Sequence, residues 1–239
     1  MESKPVGRYR PSWETYWADL STGDGVALWD CRESPEIPLF APHFGTELPV
    51  IDVGCGNGAR SGPLAAAFPR VVATDLAASA IDVARRHHPS PTIEYEVLDI
   101  LDEGAVSRLH ERIGDANVYV RAVLHQLAPA DRLVAADRIA VLTGRSGCVF
   151  DHELTPASHA RMAQLIDGEA ATLPRLRQLA DHFNIGASPV AGAGDLEWIF
   201  KHAGFVAVEA GSLPIRTVER LSDGSQLCLP GSYLIARPG

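Results

Sequence analysis

The chain has no excess of positive charge. Lys and Arg number 21 against 30 Asp and Glu, giving a net charge of −9 and a pI near 5.4. A protein built to hold a nucleic-acid backbone ordinarily carries a basic surface, and one that sits on an anionic membrane carries a basic patch. Neither nucleic acid nor a membrane is therefore an expected partner. Arg8, Arg10, Arg85 and Arg86 form the tight basic clusters, and they read as solvated surface. Cysteine is scarce too. Cys31, Cys55, Cys148 and Cys228 are scattered, with no CxxC pair and no metal-ligand spacing. That excludes a disulfide framework and a cysteine metal site, and it fits free thiols in a reducing cytoplasm. No apolar run approaches the ~20 residues needed to span a bilayer. Residues 1–17 are polar and aromatic and lack the apolar stretch of a secretory leader. The expectation is a cytoplasmic protein without a metal.

What the chain does have is glycine in one telling place. Val50-Ile51-Asp52-Val53-Gly54-Cys55-Gly56-Asn57-Gly58 runs from apolar residues through an acid into glycines at every second position. The apolar run predicts a buried strand, and the glycines predict a tight turn into a helix. Without a Cβ, such a turn lets the backbone approach a ligand closely. Asp52 puts a carboxylate beside it.

From residue 50 onward, short apolar runs alternate with helical stretches. Strands are expected over 50–53, 71–74, 95–98, 118–123 and 147–151, with helices over 63–68, 77–87, 105–113 and 130–142 between them. This alternation implies α/β architecture, a parallel sheet covered on both faces. The right-handed crossover rule makes it doubly wound. Over 155–185 two helical stretches follow each other with no strand between, one carrying Met162, Leu165 and Ile166 and the other Leu176, Leu179 and Phe183. Residues 186–194 read as a loop, 195–203 as a helix, and 205–210 and 232–236 as closing strands, with a hairpin-like return over 221–231. Before the core, Trp13, Tyr16, Trp17, Leu20, Val26, Leu28 and Trp29 recur at near-helical spacing. The organisation expected is an N-terminal helical or lid segment over 1–49 and a catalytic domain over 50–239, with a helical cap inserted at 155–193. The cap suits a small, partly apolar acceptor. Its apolar stripe would serve equally for packing between two subunits of a homodimer.

Two ligands compete for the glycine turn. Gly54, Gly56 and Ala59 satisfy the dinucleotide pattern GxGxx[GA], which alone is weak evidence for NAD. Asp75, about 20 residues downstream, suits ribose hydroxyls in either case. Asp52 before the turn, the third glycine Gly58, and Asp99-Ile100 at the end of the third strand favour S-adenosylmethionine. A carboxylate and an apolar side chain there can receive the edge and face of an adenine. In sum, Asp52-Val53-Gly54-Cys55-Gly56-Asn57-Gly58, Ala73-Thr74-Asp75-Leu76, Val97-Leu98-Asp99-Ile100 and Val120-Arg121-Ala122-Val123-Leu124-His125 stand in register. The chain thereby resembles the class I S-adenosylmethionine-dependent methyltransferases of small-molecule type. The resemblance implies a Rossmann-like, mostly parallel seven-stranded sheet whose last strand is antiparallel. It implies that Gly54, Gly56 and Gly58 approach the methionine part, that Asp75 with Leu76 meets the ribose, and that Asp99 with Ile100 meets adenine. Trp13, Trp17 and Leu28-Trp29-Asp30 are similar to the N-terminal segment of thiopurine and halide methyltransferases.

Methyl transfer to oxygen or nitrogen of a small organic molecule is the expected reaction. A protein of the same fold that binds the cofactor without transferring methyl, and an NAD-dependent oxidoreductase, are the alternatives. Catalytic groups belong at the carboxyl ends of strands four and five, since ligands bind outside that edge of an open sheet. His125 is the first candidate base, because imidazole titrates near neutrality. Arg121 could orient an anionic group of acceptor or cofactor, and His152 and Glu153 stand after the fifth strand. Asp151, His152 and Glu153 as a joint metal site is disfavoured, since neighbours on a strand point to opposite faces.

Overall fold

The computed structural model describes the chain except residues 1–5, 32 and 184–192. Seven strands form one sheet: β1 (Val50–Val53), β2 (Val71–Asp75), β3 (Ile93–Val97), β4 (Asn117–Arg121), β5 (Val149–Leu154), β6 (Phe205–Ser212) and β9 (Gly231–Pro238). Their spatial order is β3-β2-β1-β4-β5-β9-β6. β1 to β5 pair in parallel, and β9 runs antiparallel between β5 and β6. The expected doubly wound, mostly parallel sheet with an antiparallel last strand is therefore present. The strand order reverses between β1 and β4, and a crevice opens at such a switch point.

The inner strands are buried on both faces, which is why β1, β2 and β4 read as continuous apolar runs. Ile51, Val118, Val120 and Val149 face a core shared with α5 (Glu103–Ile113), α6 (Pro129–Thr143) and α9 (Ala193–His202). Val50, Val71, Tyr119 and Phe150 face the opposite core, with α2 (Ile37–Phe40), α3 (Ser61–Ala67) and α4 (Ala78–His87).

A third core joins pieces far apart in sequence. Tyr16, Trp17 and Leu20 of α1 (Arg10–Ser21) pack with Met162 and Leu165 of α7 (Pro156–Glu169) and with Leu176 and Leu179 of α8 (Pro174–His182). Leu28 and the hairpin β7 (Ile215–Arg220)–β8 (Gln226–Leu229) complete it, and Val218 N–H donates to Leu28 O at 3.0 Å. The aromatic N-terminal segment and the helical cap thus form one layer over the sheet edge.

Three expectations need correction. Helical spacing does not continue to Val26–Trp29: α1 stops at Ser21, where Gly23 and Gly25 N–H both close on Leu20 O and Gly25 takes φ +70°. β4 stops at Arg121, because Ala122 turns the chain with φ +59°. β5 runs on to Leu154, so His152 and Glu153 lie within the strand; pairing with β4 and β9 holds those polar residues extended. The loop expected over 186–194 lies mostly outside the described residues.

Candidate active site

The first turn takes a conformation that calls for its glycines. Gly54, Gly56 and Gly58 have φ of +73°, +55° and +81°, a region L side chains rarely adopt. A Cβ on Gly54 would run into Val123, and one on Gly56 would stand 2.5 Å from the Trp17 ring. Gly58 is crowded in the same way. A Cβ there would meet Tyr95 Oη at 2.8 Å and Ala84 at 3.0 Å, so its bareness lets α4 and β3 close on the turn.

Around the turn lies a cavity of about 120 Å³, at the carboxyl ends of β1, β2, β3 and β4. Asp75 points its carboxylate to the turn: Oδ2 accepts Gly56 N–H and Oδ1 accepts Ala77 N–H, both at 2.9 Å. Burial pushes its pKa up to about 6. Asp52 accepts Ser61 Oγ–H at 2.7 Å, and burial raises it to about 7. At the far end, Asp99 Oδ1 accepts Leu101 N–H at 3.0 Å, and Oδ2 accepts Gly7 N–H at 2.7 Å. Arg121 borders the same space, and its Nε is buried without a hydrogen-bond partner among the described residues. Burial lowers its pKa, and neighbouring Arg60 adds to that.

The structure brings Asp52, Gly54, Gly56, Asp75, Leu76, Asp99, Ile100 and Arg121 to this one cavity. Gly58 and His152 are not on it. His152 points to the other side of β5 from Glu153, and its Nε2 meets Leu213 O at 2.8 Å. Burial drops its pKa to about 4, so the ring is neutral and donates that bond.

Sequence reasoning placed too little weight on the loop before α2. Asn57 Nδ2 donates to Asp30 Oδ2 at 2.5 Å and to Gly25 O at 2.8 Å. Arg60 donates to Glu33 O and Ser34 Oγ, both at 2.8 Å. These bonds stitch Gly25, Asp30, Glu33 and Ser34 to the glycine turn, and Trp29 and Asp30 stand in the cavity wall. The signals for them were the Leu28-Trp29-Asp30 resemblance and the polar pair Asn57 and Arg60 inside an otherwise small-residue turn.

A second cavity, of about 270 Å³, adjoins the first. Tyr9, Trp13, Trp29 and Gln126 line both. The second is further lined by His125, by His159 of α7, and by apolar side chains of the cap. Here the left-handed Ala122 matters. It turns the chain so that the N–H groups of Val123, Leu124 and His125 converge on the Glu153 carboxylate, at 2.8, 2.8 and 3.1 Å. Successive amides in such a turn make an anion cradle. Glu153 Oε2 also bonds His125 Nδ1 at 2.5 Å. Burial alone would raise the Glu153 pKa, but His125 and the amides hold it down, so it is ionised. Asp151, on the same face, is pushed well up by burial and by Glu153 beside it. The Glu153 carboxylate accepts from His125 Nδ1–H and so fixes the orientation of the ring. Among the described residues no group of three His, Cys, Asp or Glu side chains is placed to hold a metal ion.

Residues 50–147 match the family model for a methyltransferase domain. Over 90 residues the chain is 31% identical to the N-demethylindolmycin N-methyltransferase of Streptomyces griseus, a stretch covering 35% of this chain and 38% of that protein. An S-adenosylmethionine-dependent methyltransferase from Anabaena variabilis superposes with a TM-score of 0.87 at 27% identity, over 96% of this chain and 94% of that one. The N-methyltransferase NodS of Bradyrhizobium japonicum, in complex with S-adenosylhomocysteine, superposes with a TM-score of 0.55 at 14% identity, over 95% and 98%, and shares the fold.

Proposed function

Because this chain belongs to the class I S-adenosylmethionine-dependent methyltransferases, we propose that it moves a methyl group to oxygen or nitrogen of a small organic acceptor. One observation carries the reading. A cavity with the cofactor motifs and a cavity holding a carboxylate-supported histidine share a wall at the switch point of the sheet. The residues fit S-adenosylmethionine. Gly54 and Gly56 let Val123 and Trp17, both in the cavity wall, close on the turn, and the buried, unpartnered Arg121 Nε suits the amino-acid carboxylate. Asp52 suits the α-amino group, Asp75 the ribose hydroxyls, and Asp99 with Ile100 the adenine. The small acceptor occupies the second cavity, and the protein works in the cytoplasm without a nucleic-acid or membrane partner. No helix among the described residues is long and apolar enough to cross a membrane.

When bound, the cofactor supplies a methyl group already activated by the sulfonium charge. The protein's remaining tasks are alignment and proton removal. Alignment of two reactants can be worth several kcal/mol of barrier. The walls shared by the two cavities, Trp13 and Trp29 among them, hold the acceptor against the cofactor side. His125 takes the acceptor proton on Nε2, and Glu153 keeps the ring oriented and stabilises the imidazolium, as the acid of a catalytic triad does. Glu153 is a positioning residue, since it reaches the acceptor only through His125. His152, turned away and neutral, has no part in the step.

Calorimetric titration with S-adenosylhomocysteine and with NAD tests the assignment. The nucleoside is expected to bind, and at 100 times its Kd to stabilise the fold by about 2.7 kcal/mol, while NAD does neither. A protein indifferent to S-adenosylhomocysteine at millimolar concentration would remove the reading. Methyl transfer itself is tested by accumulation of S-adenosylhomocysteine only when an acceptor is added.

A further inference from the structure

The two outer strands of the sheet are built differently. β3, at one end, ties Glu94 and Glu96 to Arg112, and Arg70 adds a contact to Glu94 at 3.3 Å. Charges along an outer strand keep other strands from pairing with it. β6, at the other end, runs for eight residues without a proline. Its one charge is turned back on its own chain: Glu209 accepts Tyr233 Oη–H at 2.7 Å and lies 3.7 Å from His43 Nε2. Val206 and Val208 are 60% and 45% exposed. A bulge between Ala207 and Glu209 twists the strand but puts no charge on it. Among the described residues no strand pairs with its outer side. Such a row of free N–H and C=O groups is a template for another strand.

α9 overhangs the same edge. It packs on β9 and β6, with Leu196, Ile199 and Phe200 in the core. Asp195 lies on the flank toward Arg132 of α6. At about 3.6 residues per turn, Glu197 and Lys201 then fall together on the opposite flank, over the free edge. Both are exposed, and neither side chain has an ion pair or hydrogen bond among the described residues. The apolar stripe of the cap is closed to contacts between copies, since Met162, Leu165, Leu176 and Leu179 are buried in the third core.

We propose that the strand completing β6 is the β6 of a second copy of this chain, joined antiparallel about a two-fold axis so that the sheet doubles. A closed two-fold interface requires a surface complementary to itself, and this one is. An axis at the middle of β6 sets Val206 against Gly211 of the copy and Glu209 against Val208 of the copy, so no like charges stand opposite. Paired strands lie about 4.8 Å apart. Helices lying over the last two strands of each copy therefore come within about 8–10 Å, the spacing of packed helices. The same axis makes the two α9 helices antiparallel, so Glu197 of each faces Lys201 of the other. None of these residues lines either cavity.

Sedimentation equilibrium of the full chain, at concentrations from about 1 to about 100 µM, tests the pairing. A species of twice 25.6 kDa is expected to form as concentration rises. Val206→Lys puts a charge on the edge and should weaken the dimer at least about ten-fold. Glu197→Lys makes α9 basic at both positions and Lys201→Glu makes it acidic at both. Each alone sets like charges opposite and should weaken the dimer about ten-fold. An equimolar mixture of the two should regain the affinity of the unchanged chain, because basic then meets acidic across the axis. A chain monomeric throughout would overturn the copy as occupant and leave the edge to a strand of another protein. A dimer unaffected by Val206→Lys would place the contact elsewhere and overturn the edge. A mixture no tighter than either variant alone would overturn the antiparallel placement of α9, and species larger than a dimer would overturn the two-fold. Should Val206→Lys lower the melting temperature, the α9 variants and their mixture decide alone.

Discussion

At the scale of single residues, the glycine turn and the buried cation make opposite kinds of prediction. Gly56 combines φ +55° with the Trp17 ring 2.5 Å from where a Cβ would stand. Left-handed backbone costs an L residue about 1–2 kcal/mol, and Trp17, fixed in the third core, has little room to retreat. Gly56→Ala should therefore lower unfolding free energy by about 2 kcal/mol or more in urea, and it should weaken S-adenosylhomocysteine through the displaced α1. Arg121→Met works the other way. It removes a buried charge that has no hydrogen bond to its Nε, so the free protein should be as stable as before or more so. The loss should appear on titrating S-adenosylhomocysteine, by about 1.5–3 kcal/mol, the range for a charge-assisted hydrogen bond. Arg121→Met that binds the nucleoside normally would take Arg121 out of the cofactor site. His152→Ala should do neither. It should cost about 1–2 kcal/mol of stability through the lost bond to Leu213 O, and leave nucleoside affinity alone.

At the scale of elements, α1 is held by polar contacts just before its start and at its middle. Gly7 N–H donates to Asp99, Tyr9 Oη receives Ala128 N–H at 2.9 Å, and Glu14 accepts the N–H groups of Ala78 and Ser79 at 2.8 and 2.9 Å. Those last two are first-turn donors of α4 with no intrahelical partner, so Glu14 caps a helix 64 residues away in sequence. Glu14→Ala should cost about 1 kcal/mol, the usual worth of an N-cap, read as a lower melting temperature. The long reach explains what the sequence could and could not say. The glycine turn, Asp75 and Asp99 were legible because each lies in a short motif at the end of one strand. The sheet order was legible because alternating strands and helices leave few topologies. The α1–cap–hairpin core was not, since its members come from residues 16–28, 162–179 and 215–229 and no local pattern joins them. β7 did carry a signal, the alternation of buried Ile215, Thr217 and Glu219 with less buried neighbours, but its inward Thr and Glu disguised it. β5 hid its polar end for the same reason. Three polar residues in a row look like a loop, yet Glu153 and His152 go to opposite faces, and only Glu153 reaches His125.

For the whole molecule, folding and cofactor binding pull the same two carboxylates in opposite directions. Burial raises Asp52 to about 7 and Asp75 to about 6, against an ordinary value of 3.8. Between the ordinary and the raised values the folded protein binds more protons than the unfolded chain. Stability therefore falls as pH rises through that interval, and it is fully present only below about pH 4 for these two groups. The nucleoside reverses the demand. In the proposed binding mode, an α-amino group at Asp52 and ribose hydroxyls at Asp75 favour the ionised forms, so binding is expected to release protons in the same window. The melting temperature of the protein alone should drift down from about pH 5 to about pH 7, while the rise caused by S-adenosylhomocysteine should grow over that range. Calorimetric heats near pH 6 should vary with the ionisation enthalpy of the buffer, since protons leave on binding. Asp52→Asn should flatten the first slope, remove most of the buffer dependence, and weaken the nucleoside at neutral pH. Its amide still accepts Ser61 but offers no charge to the α-amino group. A ligand-induced rise that stays constant with pH, in a protein that binds the nucleoside well, would show that neither carboxylate changes its proton on binding and that both face the cofactor already ionised.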